Sequence, residues 1–276
     1  MKVSQQLIDN IIEEELKDFS TQFKNDYCAD KGKKAQNILN KNNNVFIAAL
    51  GNDIMVYSAL MRSLDSSLGN RIEKIAKRIA EYNYIVKNGV KGHITVNSQN
   101  AIATLLEDYK THRRKPDNED LLSLISDTDT SNKVKSEKKS DYYLTLKEDT
   151  NQKFLLELKI GGDLDNKKAE SEKSSLLHQY VTLRNSNEIE ADDNVKIFFC
   201  TAYNKFGDDE DWDQERVKQF FSSGEILIGR DFWNFICVDD GGYAIVTECY
   251  KKHAHYIKEA LNEILRHYSK KVGSLG

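Results

Sequence analysis

The spacing of apolar residues divides the chain into a helical first part and a mixed second part. Between residues 4 and 24, apolar side chains recur every three or four positions, which predicts an amphipathic helix. A buried helix is expected at 45–61, capped by Asn44. An amphipathic helix at 67–80 and a further helix at 98–109 follow. The first 110 residues are therefore predicted to be mostly helical.

The middle of the chain switches to the pattern of two adjacent strands. Apolar side chains share one face at 142–146, and an almost continuous apolar run lies at 154–160. The segment between them is polar and suits a hairpin loop. Because side chains alternate along a strand, Glu157 and Lys159 point to the same face. Pairing of the two strands brings Asp141 to the same end of the hairpin.

The remainder of the chain predicts further strands and helices. The expected elements are a charged helix after the hairpin, a buried strand at 195–203, an amphipathic helix at 213–221, a strand at 243–248 and a closing helix at 255–268. The polar stretch at 127–139, which leads into Asp141, is predicted to be a mobile surface loop. Strands and helices that alternate in this way are typical of an α/β protein.

Composition narrows the class of protein only slightly. The formal net charge is −4 and the pI about 5.9. This charge argues against a protein that coats nucleic acid nonspecifically, yet it allows a basic cleft among acidic surfaces. Four cysteines, at positions 28, 200, 237 and 249, lack CxxC spacing and are expected to be reduced. Since no apolar run approaches about 18 residues, a cytoplasmic protein is expected.

The hairpin gathers side chains that suit metal-assisted hydrolysis. Two carboxylates in an apolar setting repel each other unless a cation joins them. Oxygen ligands of this kind suit Mg²⁺, which keeps several waters and takes few protein carboxylates. A nearby lysine can hold or deprotonate the attacking water, or stabilise charge on the phosphate. Asp141, Glu157 and Lys159 therefore predict Mg²⁺-assisted hydrolysis of a phosphodiester.

These residues carry a resemblance to known nucleases. Asp141 followed by Glu157-Leu158-Lys159 resembles the D…(D/E)xK signature of the PD-(D/E)xK nucleases. The continuation ELKIGGDLDNKKAESEK, from Glu157 to Lys173, resembles the TdeIII/MjaII-type group of type II restriction endonucleases. The sequence TAYN at 201–204 extends the resemblance. The chain departs from the signature at Ser140, where proline is often found.

The resemblance implies a fold and an activity. The fold is an α/β restriction-endonuclease-like core, a mixed β-sheet flanked by helices, with a helical N-terminal portion. We take residues 1–276 as a single domain, in which 1–110 form the helical part and 140–250 the catalytic sheet. Asp141, Glu157 and the Leu158 carbonyl are the implied Mg²⁺ ligands, and Lys159 is the implied catalytic lysine.

The implied substrate is double-stranded DNA with a short palindromic site, which in this group is GGNCC-like. A palindrome implies a twofold-symmetric homodimer. A cognate DNA methyltransferase would protect the host and act as the functional partner.

Glu73 is a candidate for a further catalytic carboxylate. Nucleases of this class often carry an extra carboxylate on a helix before the motif strands, and the run from Ser67 to Ala76 resembles that pattern. The structural alternative is a solvated helix residue paired with Lys77, four positions later.

Three groups of residues are candidates for contacts with DNA. Each has a structural alternative, because basic residues also stabilise helix ends and populate solvated faces. Asn204 and Lys205 follow a buried strand, where loops commonly carry function. The candidates are Arg113 and Arg114, Lys167 and Lys168, and Asn204 and Lys205.

Other functions also fit the pattern. A repair or recombination nuclease of the same fold would cleave without sequence preference. A nuclease-like DNA-binding protein would have lost catalysis, although Asp141, Glu157 and Lys159 are all present. In a plain interaction domain, Glu157 and Lys159 would form a structural ion pair, which leaves the GGDLDNKKAESEK run without an explanation.

Overall fold

The computed structural model describes residues 3–29, 32, 34–40, 43–124, 133–138, 142–161, 166–190 and 192–273. Asp141 lies outside the described residues. Contacts divide the chain into two compact units. The first is built mainly from Ala76–Tyr243, and the second from Ser4–Ile75 with Ala244–Gly276. The prediction of one domain over 1–276 stays a prediction.

Helices come first along the chain, strands interspersed with helices follow, and helices end it. In order they are α1 (Gln5–Cys28), α2 (Ala35–Asn40), α3 (Val45–Ala48), α4 (Asn52–Asn83), β1 (Tyr84–Lys87), β2 (Val90–Thr95), α5 (Val96–Lys110), α6 (Asp120–Ser123), β3 (Lys133–Lys138), β4 (Tyr142–Leu146), β5 (Gln152–Lys159), α7 (Asn166–Asn185), β6 (Asn194–Thr201), α8 (Glu215–Lys218), β7 (Ile226–Ile228), α9 (Arg230–Cys237), α10 (Gly242–His253) and α11 (His255–Gly273).

A five-stranded mixed sheet forms the centre of the first unit. Its strand order is β1-β4-β5-β6-β7. The pairs β1–β4 and β4–β5 are antiparallel, whereas β5–β6 and β6–β7 are parallel. A parallel pair requires a crossover, and α7 supplies it between β5 and β6. The α/β prediction of a mixed sheet flanked by helices is confirmed at this level.

Each face of the sheet packs against helices. On one face Leu155 and Phe199 join Leu176 and Tyr180 of α7 in the main hydrophobic cluster. On the other face aromatic rings from the strands meet α9, where Phe154 and Phe235 have ring centroids 5.0 Å apart. Because side chains alternate along β5, this packing places Glu157 and Lys159 on the face of α7.

The prediction of a loop at 127–139 is wrong for residues 133–138. Lys133–Lys138 form β3, which pairs antiparallel with β2, so that Ile94 lies opposite Val134. Backbone hydrogen bonds to a strand distant in sequence stabilise this polar segment, and such pairing leaves no hydrophobic pattern to detect. Residues 127–132 of this prediction lie outside the described residues.

The predicted buried helix at 45–61 is also wrong. Asn44 does cap a helix, because its side chain accepts a hydrogen bond from the Ile47 amide. That helix, α3, ends after one turn, and Gly51 with φ +99° separates it from α4. The side chains of Val45 and Phe46 are 67% and 84% exposed, so this segment is not buried.

Two later predictions need correction. The strand expected at 243–248 is part of helix α10, whose buried Val246, Cys249 and His253 lie on one helical face. The helix expected at 213–221 is reduced to α8, which makes one turn. The helices expected at 4–24, 98–109 and 255–268 correspond to α1, α5 and α11.

In the second unit, α1 packs against α11, and Tyr268 donates a hydrogen bond to the Tyr27 carbonyl at 2.9 Å. Glu15, only 3% exposed, receives ion pairs from Arg71 at 2.5 Å and Lys74 at 3.1 Å. The four cysteines, all among the described residues, are thiols rather than disulfides. No helix within the described ranges is long and apolar enough to cross a membrane.

Candidate active site

The candidate site lies at the carboxyl end of β5, beside the parallel strand β6. Lys159 is the last residue of β5 and pairs with Thr201, the last residue of β6. The Ala202 amide donates a hydrogen bond to the Lys159 carbonyl at 3.0 Å. The backbone of Lys159 is therefore fixed by the ladder, and its side chain projects from a rigid position.

Lys159 lies between two carboxylates. Its ammonium is 2.7 Å from Glu157 Oε1 and 2.9 Å from Glu172 Oε1. Glu157 comes from the same strand, and Glu172 comes from α7. The side chains of Glu157, Glu172 and Lys159 are 10%, 21% and 29% exposed. The cluster is therefore mostly enclosed, and Lys159 is its most exposed member.

The two carboxylates control the charge of Lys159. Burial by itself lowers the pKa of the ammonium, whereas the negative charges and hydrogen bonds of Glu157 and Glu172 raise it. The carboxylates prevail, so the pKa of Lys159 lies above its ordinary value. Lys159 is consequently a cation at neutral pH and a donor of hydrogen bonds.

The sequence pattern predicted only a charged helix after the hairpin and did not identify Glu172 as a site residue. A signal was nevertheless present. Glu172 lies three residues after Ala169 and four before Leu176, and both of these are completely buried. That spacing places Glu172 on the face of α7 that packs against the sheet. A carboxylate on a packed face needs a partner, and Lys159 supplies it.

The segment after β6 packs closely against the end of β5. Gly161 has φ +151°, and a Cβ added there would lie 2.4 Å from the Tyr203 ring. Gly229, with φ +50°, would place a Cβ 3.0 Å from the Asn204 amide nitrogen. Thr201 also donates a hydrogen bond to the Tyr203 carbonyl. The half-exposed Tyr203 ring therefore lies over the backbone just beyond Lys159.

The residues predicted to contact DNA differ in their exposure and in the contacts that they make within the protein. Lys167 and Lys168 are exposed in the first turn of α7, and Lys168 lies one helical turn before Glu172. Lys205 is exposed, with its ammonium 4.8 Å from the centroid of the neighbouring Phe206 ring. The Asn204 amide group binds its own loop, donating to the Glu210 carbonyl at 2.7 Å.

The two arginines are held by carboxylates. The Arg113 guanidinium lies 2.8 Å from Asp108, and Arg114 forms an ion pair with the buried Asp120. Both side chains stay partly exposed, at 62% and 47%, so each guanidinium keeps N–H groups on the solvent side of its ion pair.

A groove of about 910 Å³ opens beside Arg114 and Asn204. Its lining includes five lysine or arginine and five aspartate or glutamate side chains, so the charges balance. A balanced groove lacks the excess of positive charge that attracts the phosphates of DNA. The groove therefore does not by itself mark the substrate site.

Two predicted residues are not placed in the cluster. Asp141 lies outside the described residues. Glu73 lies on α4 within the second unit, four residues before Lys77. The Lys77 ammonium is 5.2 Å from the centroid of the Tyr142 ring, at the start of β4. The role of Glu73 stays a prediction.

The donor set at this strand end fits a hard divalent cation. Glu157 and Glu172 contribute two carboxylates against one ammonium, which leaves an excess of negative charge and oxygen ligands that suit Mg²⁺. Within the described part of the chain, no three His, Cys, Asp or Glu side chains cluster in a way that could hold a metal. Asp141, the further carboxylate that the sequence predicts, lies outside the described residues.

Comparison with known proteins supplies one match. The model of the HinfI type II restriction endonuclease family matches residues 4–254. Among curated proteins and solved structures, neither comparison gives a match. The family match confirms the predicted class, type II restriction endonuclease, and the family model that matches is that of HinfI.

Proposed function

Because the chain belongs to the HinfI family of type II restriction endonucleases, we propose that it is a Mg²⁺-dependent enzyme that cleaves double-stranded DNA at a short palindromic site. Membership of the family implies a nuclease that acts on DNA. The metal, the residues that hold it and the form of the target site are our proposals.

The observation that carries the proposal is the cluster of Glu157, Lys159 and Glu172 at the end of β5. Loops and strand ends beside parallel strands are the usual position of active sites in α/β proteins. The cluster also contains the two described residues of the D…(D/E)xK pattern. A family of DNA-cleaving enzymes and a carboxylate–lysine cluster at such a strand end support the same activity.

Chain connectivity supports the assignment of Asp141. Tyr142, the first residue of β4, pairs with Leu156 of β5. Asp141 directly precedes Tyr142 and Glu157 directly follows Leu156. In the sequence, Asp141 and Glu157 therefore each flank one member of the same antiparallel pair. We therefore assign Asp141, Glu157 and the Leu158 carbonyl as the groups that would hold Mg²⁺.

Each side chain has a separate task in this proposal. When bound, Mg²⁺ stabilises the negative charge that develops on the phosphate oxygens. Lys159, kept protonated by its carboxylate neighbours, orients the attacking water or donates to a phosphate oxygen. Glu172 fixes the direction of the Lys159 ammonium.

The DNA-contact assignments remain proposals. Lys167 and Lys168 are best supported, since they are exposed on the helix that carries Glu172. Lys205 is exposed beyond the end of β6. The Asn204 amide group already binds its own loop, and Arg113 and Arg114 already bind carboxylates, so these three are less well supported.

A palindromic target favours a twofold-symmetric homodimer, in which each subunit cleaves one strand. A cognate methyltransferase would modify the same sequence. The expected GGNCC-like site came from the TdeIII/MjaII-type resemblance, and the HinfI match gives it no further support. Mapping of fragment ends identifies the true sequence.

The test is digestion of a long duplex DNA of known sequence with the full chain, with Mg²⁺ and with EDTA, beside Lys159→Ala. Discrete fragments that require Mg²⁺ and disappear with Lys159→Ala support the proposal. A Mg²⁺-dependent smear indicates a nuclease without sequence preference. Binding without cleavage indicates an inactive DNA-binding protein. A protein that neither binds nor cleaves DNA overturns the proposal.

A further inference from the structure

A second ion pair lies next to the candidate site along α7. Lys173 follows Glu172 directly, and its side chain is completely buried. The Lys173 ammonium is 2.5 Å from Glu225 Oε1, and the Glu225 side chain is 3% exposed. The pair therefore lies inside the first unit, away from solvent.

The surroundings of Lys173 are built to hold a charge. The rings of Phe221 and Tyr109 lie 5.1 and 5.7 Å from the ammonium, at distances typical of cation–π contacts. Burial lowers the pKa of Lys173, and the negative charge of Glu225 opposes this fall. The second carboxylate oxygen of Glu225 accepts a hydrogen bond from the Ser222 amide at 2.8 Å.

A buried ion pair is a poor way to gain stability. Removing two charges from water costs several kcal/mol per ion, and apolar residues of similar volume often stabilise a core equally well. A pair of this kind is better explained by the geometry that it imposes. Hydrogen bonds and charge fix one arrangement of the two elements, whereas apolar contacts tolerate sliding and rotation.

The two elements joined here are α7 and the edge of the sheet. Glu225 ends the 3₁₀ turn Ser223–Glu225 and directly precedes β7, which pairs with β6. β6 in turn pairs with β5, the strand of Lys159. Lys173 therefore ties α7 to the sheet on the far side of β6, whereas Glu172 reaches the end of β5.

Consecutive residues of a helix point in directions about 100° apart. Two anchors at adjacent positions therefore define how the helix is rotated about its axis. We propose that the Lys173–Glu225 ion pair is a positioning device that fixes the rotation of α7 and so keeps Glu172 against Lys159. This role rests on the proposed nuclease function, because it assigns the pair to the alignment of the same site.

The test replaces both charges together, since removing one alone would leave the other buried without a partner. Lys173→Met/Glu225→Gln keeps the side-chain volumes. The matched control is Lys153→Met/Asp193→Asn, which removes an equally close ion pair, at 2.5 Å, from the opposite end of β5. Thermal unfolding, DNA affinity without divalent metal and the single-turnover cleavage rate at saturating DNA are measured for each.

The positioning role predicts a selective loss of rate. In the Lys173→Met/Glu225→Gln variant the single-turnover rate should fall by roughly 10- to 100-fold, because small displacements of reacting groups have effects of that size. DNA affinity should stay within about threefold of the wild type, since the pair contacts no exposed surface. The control should retain both rate and affinity.

A second comparison separates positioning from general damage. If the pair acts through Glu172, adding Lys173→Met/Glu225→Gln to Glu172→Gln should reduce the rate no further than Glu172→Gln alone. The positioning role is overturned if the rate losses multiply when the two sets of changes are combined. It is also overturned if the control variant loses as much rate, or if the Lys173→Met/Glu225→Gln variant cleaves at the wild-type rate. A wild-type chain that cleaves no DNA overturns both this role and the nuclease function.

Discussion

The two ends of β5 carry lysines in opposite situations. At the start of the strand, Lys153 lies 2.5 Å from Asp193 and also donates to the Glu188 carbonyl at 3.1 Å. At its end, Lys159 is shared between Glu157 and Glu172, and its side chain is twice as exposed, at 29% against 15%. One end pairs a lysine with one carboxylate, and the other places two carboxylates around one lysine.

The difference distinguishes a structural ion pair from a candidate active site. Lys153 and Asp193 neutralise each other and close the turn before β6. At the other end, two carboxylates surround one lysine, whose side chain is 29% exposed. The interaction-domain reading required Glu157 and Lys159 to be a structural pair, and the chain shows at Lys153 what such a pair looks like. The following predictions test this contrast, beginning with the largest effect.

Lys159→Ala should reduce single-turnover DNA cleavage by about 10²- to 10³-fold, the usual cost of removing one donor that acts on the transition state. DNA affinity measured without divalent metal should change little, since the backbone of Lys159 is held by the ladder. The matched change Lys153→Ala should leave the rate of the folded protein near the wild-type value. Equal losses of rate would erase the contrast between the two ends.

Glu172→Gln should lower the cleavage rate by about 10- to 100-fold, the range found when a partner of a catalytic group is replaced. The amide keeps the shape of the side chain but removes the negative charge beside Lys159. Rates over a series of Mg²⁺ concentrations show whether the loss persists at saturation. A wild-type rate would exclude Glu172 from the site.

Lys153→Met should destabilise the protein by about 3 kcal/mol, because Asp193, with a side chain only 4% exposed, is left without its cation. Chemical denaturation with urea measures the loss. Lys153→Met/Asp193→Asn should recover most of it, since neither charge is then buried alone. If the single change were as stable as the wild type, the pair would have no structural role.

The smallest effect concerns the charge of Lys159 in metal-free protein. Its pKa is raised by the two carboxylates, so removing one by Glu172→Gln should lower it towards the value that burial favours. An amine reacts with acylating reagents only when neutral, so Lys159 should be acylated faster in this variant at roughly pH 9, below the ordinary lysine pKa. Mass spectrometry of the modified peptide measures the rate, and slower labelling would contradict the sign of the shift.

The local pattern predicted the strands of the catalytic hairpin well. Alternation at 142–146 and the apolar run at 154–160 correspond to β4 and β5, and Glu157 and Lys159 do share a face. The pattern failed where tertiary contacts determine whether a segment is a helix or a strand. Ile245, Val246 and Thr247 favour a strand locally, yet they lie in α10 because one face of that helix is buried.

The sequence predicted the candidate site residues on β5, Glu157 and Lys159, but not the one on α7, Glu172. The distance from Glu172 to Lys159 depends on the path of the crossover helix, which no short-range pattern contains. The pattern did not predict that Lys173 is buried, because lysine is rarely buried. Only the position of Glu225 explains its burial. Residues whose partners lie far away in sequence are therefore those that the pattern misassigns.

The pairing of α1 with α11 has a consequence for biosynthesis. The apolar face of α1, which includes Ile8, Ile12 and Leu16, is completely buried in the finished protein. Its partner helix, α11, begins only at His255, far later in the sequence. At about 5–20 residues per second, α1 leaves the ribosome tens of seconds before that partner exists. All the strands of the sheet in the first unit precede that partner in the sequence, so the apolar face of α1 waits for its partner longer than the strands wait for each other.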